Sequence, residues 1–414
     1  MSTTKNIVIL GGSYGGLSAA HCFLKHIYAE LPDKENYQVV LVSIASQVTS
    51  RPAAPRAIIS DDLFDQKKLW VDTAPLFENY PKGSFRFVKG TATALDHAAR
   101  TVTIALAGGD DANTEVIDFY SLVIATGATT ISPLMGFNHH DEVYLKERYA
   151  EFRAALAKAK SVVVCGGGAT GVETAGELGE HFNGRASCWP WSGLQSKLEV
   201  TLVTSTEQIL PDQPVAVAKK AEKMLANVGV KVITKTKVSS VVPEGAGTEG
   251  QLATPGRVLL SDGQELNADI YIPAIGYKAN TEFVTDAALL ADDGRIKTDS
   301  KSRVIGAGPR IYAIGDCSNL HRPSLPLIQA AVPVLATNMK RDFLEDIGKA
   351  QPGADREYVQ DTKMTQIVPI GRSKGVGIFN GNSVPSLMVW ALKGRDYWVW
   401  TTPNMWSGKQ WNNI

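Results

Sequence analysis

Two glycine-rich turns in this chain have the composition to bind the phosphates of a nucleotide. The first, GGSYGG at residues 11–16, follows an apolar run at residues 7–10 and precedes a helical pattern of apolar residues. Such a strand–turn–helix unit points main-chain N–H groups and the positive end of the helix dipole at the turn, which favours a phosphate. Its glycines let the main chain approach a pyrophosphate. In the G-x-G-x-x-G frame, however, Ser13 stands between Gly11 and Gly16 where a glycine is usual.

The second turn repeats the pattern at residues 161–173, SVVVCGGGATGVE. Here Gly166, Gly168 and Gly171 fit the complete frame directly after an apolar strand. A tight turn of any α/β protein would explain one such motif, but its repetition favours nucleotide binding. Glu173 follows Gly171 by two residues, at the start of a helix that faces the ligand. This position argues against the alternative that Glu173 is merely a solvated helix residue.

In both units, the residue at the end of the second strand differs from the one usual in nucleotide sites. An acidic residue normally ends the second strand and binds a ribose, but the strand at residues 37–43 ends in Ser43. A serine can still hydrogen-bond a ribose hydroxyl without adding charge. In the second unit Glu207 lies a few residues beyond the strand at residues 198–204, and no arginine lies close by in the sequence. This arrangement favours NADH over NADPH.

Two further segments carry polar groups that could reach a cofactor. A short apolar strand at residues 310–314 leads to Gly315 and Asp316 at an expected helix entrance. There the carboxylate could hold a polyol hydroxyl, and the alternative is a plain helix N-cap. A Pro-rich bend at residues 50–57 carries Arg51 and Arg56. The bend is either an exposed loop with solvated arginines or a loop that crosses the cofactor, with Arg56 against phosphate or ring.

The composition is that of a globular protein with two or three domains. The 414 residues carry 42 basic and 42 acidic side chains, and this balance predicts no nucleic-acid partner. The four cysteines have no metal-ligand spacing, so no metal is predicted, and they fit a reducing compartment. With no leader, no membrane-spanning run and Ser2 in place of a myristoylated glycine, we expect a cytoplasmic protein.

Taken together, the two glycine turns, Thr126-Gly127 and Gly315-Asp316 resemble the pyridine nucleotide–disulfide oxidoreductase superfamily. The resemblance implies an α/β fold with two nested Rossmann-like domains, the first for FAD and the second for NAD(P)H, and a small C-terminal α+β region. We expect the FAD-binding domain at residues 1–140 and 276–355, the NAD(P)H-binding domain at residues 141–275 and the C-terminal region at residues 356–414.

A narrower resemblance rests on AAPR at residues 53–56, on residues 166–173, on GRSKGVG at residues 371–377, on LMV at residues 387–389 and on KGRD at residues 393–396. These look like the apoptosis-inducing-factor-like, ferroptosis-suppressor flavoproteins, which are relatives of type II NADH:quinone dehydrogenases. The resemblance implies that FAD is held by Gly11, Gly12, Ser13, Tyr14, Gly15, Gly16, Ser43, Arg56, Ala92, Gly127 and Asp316, and the NAD(P)H pyrophosphate by Gly166, Gly168 and Gly171. It further implies catalytic roles for Glu173, beside the nicotinamide, and for Lys393, near the flavin and the electron acceptor.

The function implied is hydride transfer from NAD(P)H to FAD and on to a quinone or similar small acceptor. The early part of the chain holds only Cys22, so the redox cysteine pair of disulfide reductases is missing. One alternative is a tailoring enzyme that oxidises an organic metabolite with O2. Another is a flavin-poor signalling or DNA-contacting relative, which the neutral charge disfavours.

The C-terminal segment is rich in tryptophan, and an insertion near residue 190 adds Trp189 and Trp191. The segment either packs on the body of the protein or forms an amphipathic surface that meets a membrane or an apolar substrate. The sequence leaves both open.

Overall fold

The protein alternates strands and helices through most of its length. The computed structural model describes residues 4–108, 113–186, 194–349, 352–360 and 363–414. The strands are β1 (Lys5–Leu10), β2 (Tyr37–Ser43), β3 (Gln47–Thr49), β4 (Trp70–Asp72), β5 (Phe85–Asp96), β6 (Thr101–Leu106), β7 (Thr114–Asp118), β8 (Ser121–Ile124), β9 (Ala128–Thr129), β10 (Ser161–Cys165), β11 (Glu199–Val203), β12 (Val230–Ile233), β13 (Val238–Val242), β14 (Gly256–Leu260), β15 (Glu265–Ala268), β16 (Ile270–Pro273), β17 (Lys278–Ala279), β18 (Ile311–Ala313), β19 (Gln366–Ile370), β20 (Lys374–Phe379) and β21 (Asn382–Ser383). The helices are α1 (Tyr14–His26), α2 (Ala54–Ala57), α3 (Gln66–Leu69), α4 (Glu142–Leu156), α5 (Ala169–Asn183), α6 (Val215–Ala226), α7 (Leu325–Asp346), α8 (Ser386–Val389) and α9 (Thr402–Trp406).

The first sheet has the strand order β18-β8-β1-β2-β5-β6-β7. Its central strands are parallel and almost wholly apolar, because both faces of the sheet are covered. Along β1, Ile7 and Ile9 face a core formed with α1 and α7. Val8 and Leu10 face a second core, which includes the antiparallel strands β6 and β7. Because the first glycine turn directly follows β1, it lies at the carboxyl edge of the parallel strands, where ligands of such sheets bind.

A second parallel sheet, β12-β11-β10-β16, is inserted in the sequence between the strands of the first. Helices α5 and α6 cover one face, and the three-stranded sheet β13-β14-β15 covers the other. Strand β18 then returns to the first sheet beside β8. This order confirms the predicted α/β fold with two nested Rossmann-like units. The domain boundaries at residues 140, 275 and 355 stay a prediction.

The C-terminal region contacts both units. The hairpin β19–β20 lies against α5, and the segment that contains α9 lies against α1. Trp406 and Trp411 are 1% and 4% exposed in the core beneath α1, whereas Trp390 and Trp400 are 39% and 50% exposed. Part of the tail therefore packs on the body of the protein, and a contact of the exposed part with a membrane or an apolar substrate stays a prediction.

The insertion with Trp189 and Trp191, and also Cys188, lies outside the described residues. None of the helices in the described part of the chain combines the length and hydropathy that crossing a bilayer requires.

Side chains of α1 form hydrogen bonds that hold the C-terminal segment against the first unit. The His21 ring stacks on Phe77 with centroids 4.3 Å apart, and its nitrogens lie 2.8 Å from Tyr80 Oη and 2.7 Å from the Trp406 carbonyl oxygen. One turn further on, Lys25 donates to the Gly408 carbonyl at 2.8 Å. Because a carbonyl only accepts, the neutral ring donates from Nε2 to Trp406 and accepts at Nδ1 from Tyr80.

Stability is expected to fall in mild acid because of His21. Burial lowers the pKa of His21 to about 4, against about 6.5 for an unfolded histidine. The unfolded chain therefore binds a proton that the folded chain excludes, so this contribution is complete above pH 6.5 and is lost as the pH falls toward 4. The loss amounts to roughly 3 kcal/mol.

Urea unfolding of the wild type and of His21→Gln at pH 7 and pH 4.5 measures this effect. The variant keeps an acceptor and a donor but does not titrate, so its free energy of unfolding should fall less on acidification. Equal losses in the two proteins would show that His21 is not the group responsible.

Candidate active site

A cavity of about 890 Å³ runs from the first glycine turn to the start of α5 and to the C-terminal segment. The sequence-predicted residues on its wall are Gly11, Gly12, Ser13, Tyr14, Gly15, Ser43, Ala92, Gly127, Glu173, Asp316 and Lys393. Gly16, Gly166, Gly168, Gly171 and Arg56 do not line it. The structure thus brings most of the predicted FAD residues together with both predicted catalytic residues.

The two glycine turns are geometric copies of each other. Gly11 and Gly166 have φ of +115° and +128°, and a Cβ at either would overlap a carbonyl oxygen of the neighbouring strand's end. A Cβ at Gly16 would overlap the Gly11 carbonyl oxygen, and one at Gly171 would overlap that of Gly166. Gly16 and Gly171 therefore allow each helix to pack closely against its turn, although neither glycine lines the cavity.

Ser13 is compatible with the first turn. It has φ −120° and ψ −154°, and its counterpart Gly168 has φ −72° and ψ 179°, so neither position requires glycine. No atom lies within 4 Å of a Cβ placed on Gly168. Neither residue caps its helix with a side chain, so the first-turn N–H groups of α1 and α5 are left for a ligand. This main-chain cradle fits the pyrophosphates of FAD and NAD(P)H.

The residue at the end of the second strand also occupies the same place in both units. The sequence predicted this position only for the first unit. A Cβ placed on Gly12 would lie 2.6 Å from the Ser43 side chain. A Cβ placed on Gly167 would lie at the same distance from the Thr204 side chain. Thr204 follows β11 as the structural counterpart of Ser43. The predicted acid, Glu207, is exposed and pairs with Lys235 at 2.5 Å. A cation therefore lies beside Glu207, and the preference for NADH stays a prediction.

Asp316 lies on the cavity wall just past β18 and Gly315, whose φ is +88°. Within the described residues, no hydrogen-bond donor is placed on its carboxylate, which leaves it available to a polyol. The helix expected directly at Asp316 begins later, because residues 316–324 are not helical and α7 starts at Leu325. The N-cap alternative for Asp316 is therefore wrong.

Glu173 and Lys393 form an ion pair on the cavity wall. Lys393 Nζ lies 2.5 Å from Glu173 Oε1, with the side chains 9% and 3% exposed. Burial raises the pKa of Glu173 to about 7, and the charge of Lys393 opposes that rise. Glu173 comes from the second turn of α5, and Lys393 from a π-helical turn, Trp390–Gly394. A carboxylate and an ammonium are thus held together where the two units and the C-terminal region meet.

Arg56, which was predicted to contact FAD, does not lie on the cavity wall but binds another part of the chain. Its guanidinium forms a bidentate ion pair with Glu177 of α5, with Nε–Oε2 at 3.0 Å and Nη2–Oε1 at 2.8 Å. It is buried away from the cavity because α2 directs it toward α5. The arginine of this bend on the cavity wall is Arg51, which donates to the Met135 carbonyl at 3.2 Å. The sequence of the bend does not indicate which of its two arginines turns toward the cavity.

The chain matches known proteins over most of its length. A family model described as pyridine nucleotide-disulphide oxidoreductase matches residues 5–333. The oxidoreductase phnG of Penicillium herquei is 52% identical over 99% of this chain and 98% of its own. Ferroptosis suppressor protein 1 of Homo sapiens is 26% identical, over 96% and 94%. Sulfide:quinone oxidoreductase from Aquifex aeolicus shares the fold, with a TM-score of 0.69 and 16% identity, over 97% and 92%.

These matches confirm the resemblance inferred from the glycine turns and the C-terminal motifs. Because the family match includes both glycine turns and Asp316, the chain belongs to the pyridine nucleotide-disulphide oxidoreductase family and is an FAD-dependent NAD(P)H oxidoreductase.

Proposed function

We propose that this oxidoreductase passes electrons from NAD(P)H, through FAD, to a quinone or a similar small apolar acceptor. The bound flavin supplies the chemistry that takes a hydride from the nicotinamide and releases two electrons to the acceptor. In this proposal the first glycine turn, Ser43, Ala92, Gly127 and Asp316 hold FAD, and the turn before α5 holds the nicotinamide nucleotide.

One observation carries the proposal: a single cavity joins the first glycine turn to Glu173 and Lys393. A donor entering over the N-terminus of α5 would reach the same space as a cofactor lying along the first turn. Within the described residues the cysteines Cys22, Cys165 and Cys317 are buried and free. These three cysteines therefore do not support a disulfide relay, and they favour a small-molecule acceptor.

The ion pair suits the proton balance of quinone reduction. A quinone that gains two electrons also takes up two protons. Because its pKa lies near 7, the Glu173 carboxyl can hold or release a proton at Oε1 under neutral conditions. Lys393 Nζ, in contact with that oxygen, can donate a hydrogen bond to an acceptor carbonyl on the cavity side.

Apolar side chains on the cavity wall support an apolar acceptor. Met135, Phe137, Ile367 and Trp398 are among its lining residues. The same C-terminal segment also carries exposed apolar side chains, at Leu387, Met388, Trp390 and Trp400. These support a peripheral contact with a membrane that holds the acceptor.

Absorption spectra of the purified protein test the proposal. The oxidised flavin band should be present, and anaerobic NADH or NADPH should bleach it. Turnover is then compared with a water-soluble quinone, with a long-chain quinone in vesicles, and with O2 alone. Faster NAD(P)H oxidation with a quinone supports the proposal, and activity that depends only on O2 and an added organic substrate would favour the tailoring oxidase. A flavin that no nicotinamide nucleotide bleaches would refute the proposed function.

A further inference from the structure

The segment that carries Lys393 has an irregular and strained main chain. A π-helical turn, Trp390–Gly394, holds the lysine, and such turns are uncommon and concentrate at functional sites. Shortly afterwards Tyr397 and Trp398 have φ of +53° and +65°. Bulky residues rarely adopt this left-handed conformation, which persists only where surrounding contacts enforce it.

The Arg56 side chain supplies those contacts from another part of the chain. Besides its ion pair with Glu177, it donates to the carbonyl oxygens of Gly394 at 2.8 Å and Arg395 at 3.0 Å. These are the two residues that directly follow Lys393. One guanidinium thus joins α5 to the main chain that sets the direction of the Lys393 side chain.

Tyr397 completes the arrangement. Its hydroxyl donates to Glu177 Oε1 at 2.9 Å, and the Arg56 guanidinium lies 4.8 Å from its ring centroid. Its N–H also donates to the Lys393 carbonyl at 2.6 Å. The next residue, Trp398, lies on the cavity wall with its ring 5.0 Å from Lys393 Nζ. Holding Tyr397 in the left-handed conformation therefore fixes both Trp398 and Lys393.

We propose that Arg56 is a positioning residue that, through Glu177 and the carbonyls after Lys393, holds Lys393 on Glu173 at the cavity wall. The catalytic consequence rests on the function proposed above, but the positioning itself does not. The role is distinct from the cofactor contact that the sequence suggested for this arginine.

Charge balance explains why the pairing matters. Glu173 and Glu177 stand one turn apart on α5 and are both buried, so each requires a cation. With Arg56 on Glu177, Lys393 pairs with Glu173. A weakened Arg56 contact would draw Lys393 toward the second carboxylate and away from the first. Lysine cannot replace Arg56, because only the planar fork of arginine reaches one carboxylate in bidentate fashion and two carbonyls together.

The test compares Arg56→Lys with a matched control, Arg185→Met, in the full-length flavoprotein. Arg185 pairs with Glu180 on the same helix at 2.9 Å and donates to the Ile370 carbonyl at 2.7 Å, but it contacts neither Lys393 nor Tyr397. Amide hydrogen exchange is measured over residues 389–400. We expect exchange there to rise about tenfold in Arg56→Lys and to stay unchanged in Arg185→Met.

The second readout is the pH dependence of flavin reduction. Loss of Lys393 from Glu173 removes the charge that lowers this carboxyl's pKa, so the profile should move to higher pH in Arg56→Lys and stay in place in Arg185→Met. At pH 7 the rate should fall at least about tenfold. In the described part of the chain, the charged or titratable groups that act on Glu173 or Glu177 are Arg56, His181, Lys393 and Tyr397, besides the two carboxyls themselves.

Unchanged exchange over residues 389–400 in Arg56→Lys would overturn the proposal, as would an equal rise in Arg185→Met. If Arg56→Lys does not fold, Tyr397→Phe tests the proposal instead, since it removes only the hydroxyl that binds Glu177. Raised amide exchange over residues 389–400 in this variant supports the proposal, and wild-type exchange overturns it. Because exchange needs no turnover, a protein that no NAD(P)H reduces would refute the proposed function without deciding this inference.

Discussion

Flavin reduction by NAD(P)H is expected to slow about 100-fold when Glu173 is replaced by glutamine. In the proposed function Glu173 would lie beside the nicotinamide, and its buried carboxylate would stabilise the positive charge that develops there when a hydride leaves. The glutamine amide has the same shape and still accepts a hydrogen bond from Lys393, but it has no charge. The effect should therefore appear in the rate of reduction more than in the affinity for the nucleotide.

Rapid mixing of the anaerobic flavoprotein with NADH measures this rate as a function of pH. In the wild type the rate should rise as Glu173 ionises near pH 7, and in Glu173→Gln it should be independent of pH in this range. Lys393→Met should move the wild-type profile to higher pH, since Lys393 lowers the pKa of Glu173. Glu180→Gln is the matched control, because Glu180 lies on the same helix outside the cavity wall. A wild-type rate in Glu173→Gln would remove the carboxylate from the mechanism.

Much of the fold could be predicted because local sequence determines it. The parallel strands are short apolar runs that end at glycines or small polar residues, and the predicted strand at residues 37–43 coincides with β2. Gly11 and Gly166 adopt positive φ, which excludes most other residues, so the sequence marks the turns directly. The cavity wall along the first turn follows from these local rules.

The direction of long side chains could not be predicted in the same way. Arg51 and Arg56 stand in one short bend with similar neighbours, yet one lines the cavity and the other is buried against α5. The partners that decide this, Glu177 and the carbonyl of Gly394, lie 121 and 338 residues away in sequence. No local pattern contains that information.

In the tryptophan-rich tail, too, local sequence does not determine which side chains are buried. Trp406 is buried because carbonyls of its segment bind His21 and Lys25 of α1, whereas Trp400 is exposed over Arg395. Composition alone gives both residues the same preference for burial. Likewise Lys235, which pairs with Glu207, comes from the loop after the next strand of the sheet.

The second largest expected effect is the loss of nicotinamide nucleotide binding in Gly171→Ala. The new Cβ would overlap the Gly166 carbonyl oxygen, so α5 must move away from the turn that presents its N–H groups. Affinity for NADH should fall about 100-fold, and stability by about 1–3 kcal/mol. The flavin should stay bound, because the equivalent contact in the first unit, between Gly16 and Gly11, is unchanged.

Gly168→Ala is the control for this experiment. Its Cβ would meet no atom within 4 Å, its φ of −72° suits alanine, and the first unit carries a serine at the same place. Its stability should stay within about 0.5 kcal/mol of the wild type, and its affinity should fall far less than that of Gly171→Ala. Each protein, with its flavin oxidised or reduced, is titrated with NADH, and its flavin content is measured in parallel. The two measurements distinguish a loss of nucleotide binding from a loss of flavin binding. If Gly171→Ala binds NADH as the wild type does, the turn before α5 does not hold the nucleotide, and the donor must enter by another route.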